Sequence, residues 1–290
     1  MQLPATLHSA LENTLGARID DAQILTGGDI NRAFALSLAD GRRLFLKYNR
    51  GAVAADMFLR EAQGLALIGA SPAVRVPKVY GRGLTDDGFA WLLMQLIEER
   101  RPNAEAWRRL GECMTALHGS TSAQFGFGHD NYIGLLPQSN RRHDRWADFY
   151  AQERILPQVE KASAAGFLDL TDERAANRLC GRLNELCPDE APALIHGDFW
   201  RGNVLFDGAG QPFLIDPSAC YAHREMDLAM SRLFGDFDQA FYEAYEAWAP
   251  LAPGFDERIE VYQLYYLLVH VNLFGGGYAA QVKSLLSIYL

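Results

Sequence analysis

Apolar positions recur at helical spacing from Pro4 to Leu15, which predicts a short first helix. Three brief runs rich in β-formers follow, Ala22–Thr26, Ala33–Leu38 and Arg43–Tyr48, and they read as strands. Asp40-Gly41 lies between the second and third, and this dipeptide supplies the positive-φ geometry that a tight hairpin turn requires. The helical period returns over Ala54–Gly69 through Met57, Phe58, Ala62, Leu65 and Ile68. After a loop around Pro72–Pro77, strands are predicted at Val79–Arg82 and Phe89–Ile97, on either side of the turn Asp86-Asp87-Gly88. The first hundred residues thus predict a five-stranded antiparallel sheet carrying one inserted helix.

From Asn103 onward the period is mostly helical, over Ala104–Leu117, Arg145–Ala165, Thr171–Leu186, Arg224–Leu233, Phe237–Ala249 and Phe255–Ile288. Pro157 implies a kink or break in the second of these, and Gly275-Gly276-Gly277 an interruption in the last. Gly119–Asn140 is polar and glycine-rich and reads as loop. The switch from sheet to helix predicts an α+β chain of two lobes, residues 1–98 and 99–290. Leu96–Pro102 connects them as a strand end rather than a free linker.

Composition narrows the classes open to this chain. Its 290 residues are 49% apolar and 22% charged, enough for two substantial cores. Lys and Arg number 27 against 36 Asp and Glu, a net charge of −9, which argues against a nucleic-acid or anionic-membrane partner. The N-terminal Met-Gln-Leu-Pro-Ala-Thr lacks a signal-peptide pattern, and the apolar stretch near Leu264–Phe274 is too short to span a bilayer. Cys113, Cys180, Cys187 and Cys220 show neither metal-ligand nor disulfide-framework spacing. A cytoplasmic protein is the simplest expectation.

The chemistry is concentrated between Ile195 and Asp216. Asp198 follows His196 by two residues, Asn203 follows Asp198 by five, and Asp216 follows Asn203 by thirteen. Phosphoryl-transfer enzymes use H-x-D-x-x-x-x-N and a later Asp in this order. The first Asp handles the acceptor's hydroxyl proton, while the Asn and second Asp hold Mg²⁺. Val204–Phe206 and Pro212–Ile215 read as a hairpin that returns Asp216 beside Asn203. His196 has no chemical role in such a mechanism and is expected to pack under the loop.

The first lobe offers residues for a nucleotide. Gly27-Gly28-Asp29-Ile30-Asn31 could bring backbone N–H groups to phosphates, or could be a plain hairpin turn. Lys47 ends an apolar strand, as a lysine that pairs with α/β phosphates or an exposed edge lysine would, and Glu61 in the following helix could orient it or be an ordinary solvated charge. Along Trp91–Ile97, Met94 would face an adenine, with the Gln95 carbonyl and the Ile97 N–H bonding its edge; the same residues also suit a core strand. Trp200 could give a sugar an apolar face or an amine a cation–π surface, or could be a packed loop residue. Asp227 is expected to buttress the loop through hydrogen bonds, whereas Arg224 and Glu225 could line an acceptor or pair with neighbours.

Together these residues resemble the protein-kinase-like superfamily of small-molecule kinases, and more narrowly the fructosamine (ketosamine) kinase family. His196-Gly197-Asp198-Phe199-Trp200-Arg201-Gly202-Asn203 is similar to that family's H-G-D-L-W-x-G-N signature. Asp216-Pro217-Ser218 and His223–Gly235 resemble its second signature, and Gly27–Asn31 its phosphate loop. Phe199 stands where the family usually has Leu. Asp29 stands where some members carry a cysteine, so a disulfide switch is not expected. The resemblance implies a bilobal protein-kinase-like fold and ATP- and Mg²⁺-dependent phosphorylation of the sugar 3-hydroxyl of ketosamines, free or attached to protein lysines. The 3-phosphate breaks down and releases the amine, so the activity reads as deglycation repair. A monomer is expected. Two rivals stay open: a kinase of another amino-alcohol or aminoglycoside, and a non-catalytic nucleotide-binding module. A protein kinase is disfavoured, since the eight residues between Asp216 and Glu225 leave no room for an activation segment.

Overall fold

The computed structural model describes residues 3–25, 31–235 and 237–290. Strands β1 (Ile19–Leu25), β2 (Arg32–Leu38), β3 (Arg43–Arg50), β4 (Val79–Leu84) and β5 (Phe89–Gln95) form one antiparallel sheet, in the order β1-β2-β3-β5-β4. Helix α1 (Ala5–Leu15) covers one face, where Leu7 and Leu11 meet Phe34, Leu36, Leu46, Trp91 and Leu93. Helix α2 (Ala52–Ile68) covers the other, where Ala54, Phe58 and Leu65 meet Ala90, Leu92 and Met94. The two-residue strand period sorts the side chains between the faces: Leu46 goes to α1, while Phe45 and Lys47 go to α2. Five strands and one inserted helix are therefore present as the sequence predicts. The fifth strand ends at Gln95, so Leu96 and Ile97 lie outside the ladder.

The rest of the chain is mainly helical: α3 (Ala104–His118), α4 (Trp146–Tyr150), α5 (Leu156–Ala164), α6 (Leu170–Leu186), α7 (Glu225–Leu233), α8 (Gln239–Trp248), α9 (Phe255–Phe274) and α10 (Ala279–Ser287). Asn103 caps α3 by accepting the Ala106 N–H at 2.9 Å. One core gathers around α9, with Tyr150, Leu179, Tyr262, Tyr265 and Leu268 buried together. A second joins α3 to α8 through Trp107, Met114, Phe206 and Phe241. Gly111 permits that crossing, because a Cβ there would stand 2.7 Å from the Phe241 carbonyl oxygen.

The interruption that Pro157 predicts in the Arg145–Ala165 helix is present, as a π-helical turn at Ala151–Ile155 between α4 and α5. In a continuous α-helix the Pro157 ring would strike the Glu153 carbonyl; here that carbonyl accepts instead from the Arg154 guanidinium at 3.0 Å. Gly119–Asn140, read as loop, contains the hairpin β6 (Asn131–Ile133) and β7 (Leu136–Gln138). A further short pair, β8 (Ala193–Ile195) with β11 (Cys220–Ala222), brackets the hairpin β9 (Val204–Phe206) and β10 (Pro212–Leu214).

Candidate active site

The β8–β11 pairing sets Ile195 opposite Cys220 and so lays His196-Gly197-Asp198 alongside Asp216-Pro217-Ser218. The Ser218 N–H donates to the His196 carbonyl at 2.9 Å. Gly197 has φ +81°, and a Cβ on it would lie 2.3 Å from the Ser218 carbonyl oxygen, so glycine is required at this contact. The β9–β10 hairpin closes the other side, where the Ile215 N–H donates to the Asn203 carbonyl at 3.1 Å. Asp198, Asn203 and Asp216 thus converge.

Asn203 donates through Nδ2 to both the Asp198 carbonyl and Asp198 Oδ2, each at 2.9 Å. Among the described residues Asn203 Oδ1 accepts no hydrogen bond, leaving a hard oxygen for a cation. Asp216 supplies carboxylate oxygens and is the only non-glycine described residue with positive φ, at 53°. Such strain persists where the surrounding structure fixes the residue for a purpose. Asn203 and Asp216 fit Mg²⁺, which keeps several waters and substrate oxygens rather than requiring a full protein cage. Accordingly, no group of three or more His, Cys, Asp or Glu side chains suited to a metal ion occurs among the described residues.

Lys47 bridges the two lobes, with Nζ 2.9 Å from Glu61 Oε1 and in contact with Asp216 Oδ1. Burial opposes its charge, but Asp216 and Glu61 outweigh burial and hold its pKa above the ordinary value. Burial likewise works against Asp216, yet Lys47 keeps it below the usual carboxylate range. Glu61 shares that single cation, and burial pushes it up to about 8. Asp198 has no cation partner among the described residues. Burial raises it to about 7 against the Asn203 hydrogen bond, with Asp216 and Asp227 adding to the rise.

Asp227, fully buried in α7, holds the loop from behind. It accepts the His196 N–H at 2.7 Å and the Gly197 N–H at 2.9 Å. His196 is buried too: Nδ1 accepts the Asp198 N–H at 3.3 Å and Nε2 donates to the Ile215 carbonyl at 2.9 Å. That pattern fixes a neutral tautomer, and burial lowers its pKa. Arg224 pairs with Glu190 and Glu225 with Arg258, so both make local ion pairs.

The remaining predicted residues are spread along the sheet and loop. Met94 is buried on the α2 face, and the Gln95 N–H donates to the Lys78 carbonyl at 2.8 Å. The Ile97 N–H has no hydrogen bond among the described residues. Asn31 Oδ1 accepts from Asn49 at 3.0 Å, whereas Gly27 and Gly28 lie outside the described residues. Trp200 is 39% exposed, and its indole lies over Gly202, where a Cβ would meet the ring at 2.2 Å.

Sequence reasoning missed two supports. His118 Nε2 stands 3.2 Å from Asp227 Oδ2, and its Nδ1 is 2.7 Å from the Tyr245 hydroxyl. Behind the Asp216 loop, Ser218 Oγ donates to the Tyr132 carbonyl at 2.7 Å, and Asn131 Nδ2 donates to the Ala219 carbonyl at 3.0 Å. The only advance signal was polar residues recurring at otherwise apolar positions, such as His118 in α3.

The comparisons follow the same lines. A family profile described as fructosamine kinase matches residues 4–290. A Synechocystis protein named a probable ketoamine kinase is 38% identical, over 97% of this chain and 95% of its own. Mouse ketosamine-3-kinase is 34% identical, over 87% and 89%. A solved Thermobifida fusca structure assigned as a fructosamine-3-kinase superposes with a TM-score of 0.87 at 36% identity, covering 97% of each chain. Aminoglycoside phosphotransferase structures superpose at TM-scores of 0.63 to 0.66 and at most 21% identity, a likeness of fold alone.

Proposed function

Because the chain belongs to the fructosamine kinase family, we propose that it transfers the γ-phosphate of ATP to the sugar 3-hydroxyl of ketosamines. The convergence of Asp198, Asn203, Asp216 and Lys47 at the lobe junction carries this reading. In it, residues 1–98 bind the nucleotide and residues 99–290 carry catalysis and the acceptor. Asn203 and Asp216 hold Mg²⁺, which when bound neutralises charge on the phosphate oxygens. Lys47, oriented by Glu61, steadies the α/β phosphates with Asn31 at their border; Gly27 and Gly28, assigned to the same phosphates from sequence, lie outside the described residues. Met94, the Gln95 carbonyl and the Ile97 N–H line the adenine side.

Asp198 accepts a hydrogen bond from the attacking hydroxyl, aligns it and takes its proton as the phosphoryl group moves. Trp200 bears on the acceptor. Gly202→Ala is expected to push the indole aside and raise the acceptor KM roughly fivefold, the scale of one lost cation–π contact, with the ATP KM little changed. An unchanged acceptor KM would remove Trp200 from the acceptor site.

The reaction releases the amine once the 3-phosphate decomposes, and so acts as deglycation repair. An ATP-consumption screen over fructose-, ribulose- and erythrulose-derived amines, with kanamycin and choline alongside, tests the assignment. Turnover confined to ketosamines supports it, and turnover confined to kanamycin or choline overturns it. Among the described residues no helix is long and apolar enough to cross a membrane.

A further inference from the structure

Trp200 is one end of a run of ring contacts that leads away from the catalytic loop. Its ring meets Phe234 edge-on at 6.4 Å between centroids; Phe234 meets His270 at 4.9 Å, and His270 meets Phe274 at 5.5 Å. Phe234 is 39% and Phe274 56% exposed. Single exposed aromatics are ordinary, but a contiguous patch marks a binding surface. Rigid elements carry this one. Phe234 ends α7, the helix whose Asp227 holds the catalytic loop, while His270 and Phe274 share a face of α9 one turn apart. Gln263 Nε2 ties α9 to the Ala229 carbonyl of α7 at 2.9 Å.

We propose that Trp200, Phe234, His270 and Phe274 form the subsite for the amine substituent of the acceptor, selecting ketosamines whose nitrogen carries an aromatic or long aliphatic group. The inference rests on the ketosamine reading above. With the 3-hydroxyl at Asp198, the nitrogen lies four bonds from the attacking oxygen, a reach of about 4–5 Å. Trp200, two residues beyond Asp198 in the same loop, is the first side chain along the aromatic run. The sugar's other end bears hydroxyls, so the apolar surface fits the amine side. His270 donates Nδ1–H to the Tyr266 carbonyl at 2.7 Å, and burial keeps its ring neutral, so it does not repel an ammonium group. Arg232 is held elsewhere, paired with Asp256 and lying over Tyr242 and Phe255.

The test compares kcat/KM for fructosyl derivatives of methylamine, hexylamine and phenethylamine, in the wild type and in Phe234→Ala and Phe274→Ala. The wild type is expected to favour the phenethyl over the methyl compound about tenfold or more. The preference should fall to within about threefold in both variants, through acceptor KM rather than kcat. Phe274 is exposed, so its variant should fold normally, with a melting midpoint within about 2 °C of the wild type. A flat wild-type profile, a preference that survives both substitutions, or an equal kcat loss on all three amines overturns the subsite while leaving the ketosamine reading intact. Absence of turnover on every fructosyl, ribulosyl and erythrulosyl amine overturns that reading and the subsite with it.

Discussion

Asp198→Asn is expected to lower kcat by at least roughly a hundredfold, the scale of lost general-base catalysis, while nucleotide binding persists. The replacement keeps the side chain's shape and an oxygen that can accept from Asn203 Nδ2, so the loop should hold its course. The loop is also fixed independently of Asp198's carboxylate, by Asp227 on the His196 and Gly197 N–H groups and by the Ser218 contact. What the variant loses is the capacity to take a proton. Lys47, Glu61 and the Met94–Ile97 strand end are untouched, so the ATP Kd by calorimetry should stay within about threefold. Turnover near the wild-type level would remove Asp198 as the base.

Asp227→Asn is expected to damage both stability and turnover. Its carboxylate is completely buried and receives three contacts, from two backbone N–H groups and His118. An amide offers one oxygen in place of two, and sets its own NH₂ against a donor. A buried donor left without a partner costs about 1–3 kcal/mol, and breaking a buried charged network about 3–5. At about 3 kcal/mol, where the two ranges meet, and about 2–3 °C per kcal/mol for a chain of this size, the melting midpoint should fall by about 6–9 °C. The kcat should drop at least about tenfold, because Gly197 and Asp198 would no longer be held against the Asp216 loop. A midpoint within about 2 °C of the wild type would show that Asp227 does not anchor the loop.

Much of this arrangement is legible in the sequence, and the legible part has a physical reason. The first-lobe strands alternate between two covered faces and are joined by turns with the required residues, as at Asp40-Gly41. The Asp198, Asn203 and Asp216 spacing is visible because Asn203 follows Asp198 in one loop and a short hairpin returns Asp216 beside Asn203. The β8–β11 pair was not visible: three residues per strand, buried but for Tyr221, are too few to show a period. The β6–β7 hairpin was hidden because Asn131 and Gln138 point polar groups inward, to the backbone behind Asp216. His118 and Tyr245 lie 127 residues apart, and only the close packing of α3 on α8 joins them. The π-helical turn left a trace only in Pro157, which marks an interruption without locating it.

The proposed transfer carries phosphate from ATP to a ketosamine hydroxyl. Phosphorus NMR of the protein with ATP, Mg²⁺ and a fructosyl amine tests it directly. A new phosphomonoester signal on the sugar's 3-oxygen, growing in step with ADP and absent without the ketosamine, is the result predicted here. ADP formed at the same rate without the ketosamine, or phosphate appearing only as the free inorganic ion from the outset, would contradict it.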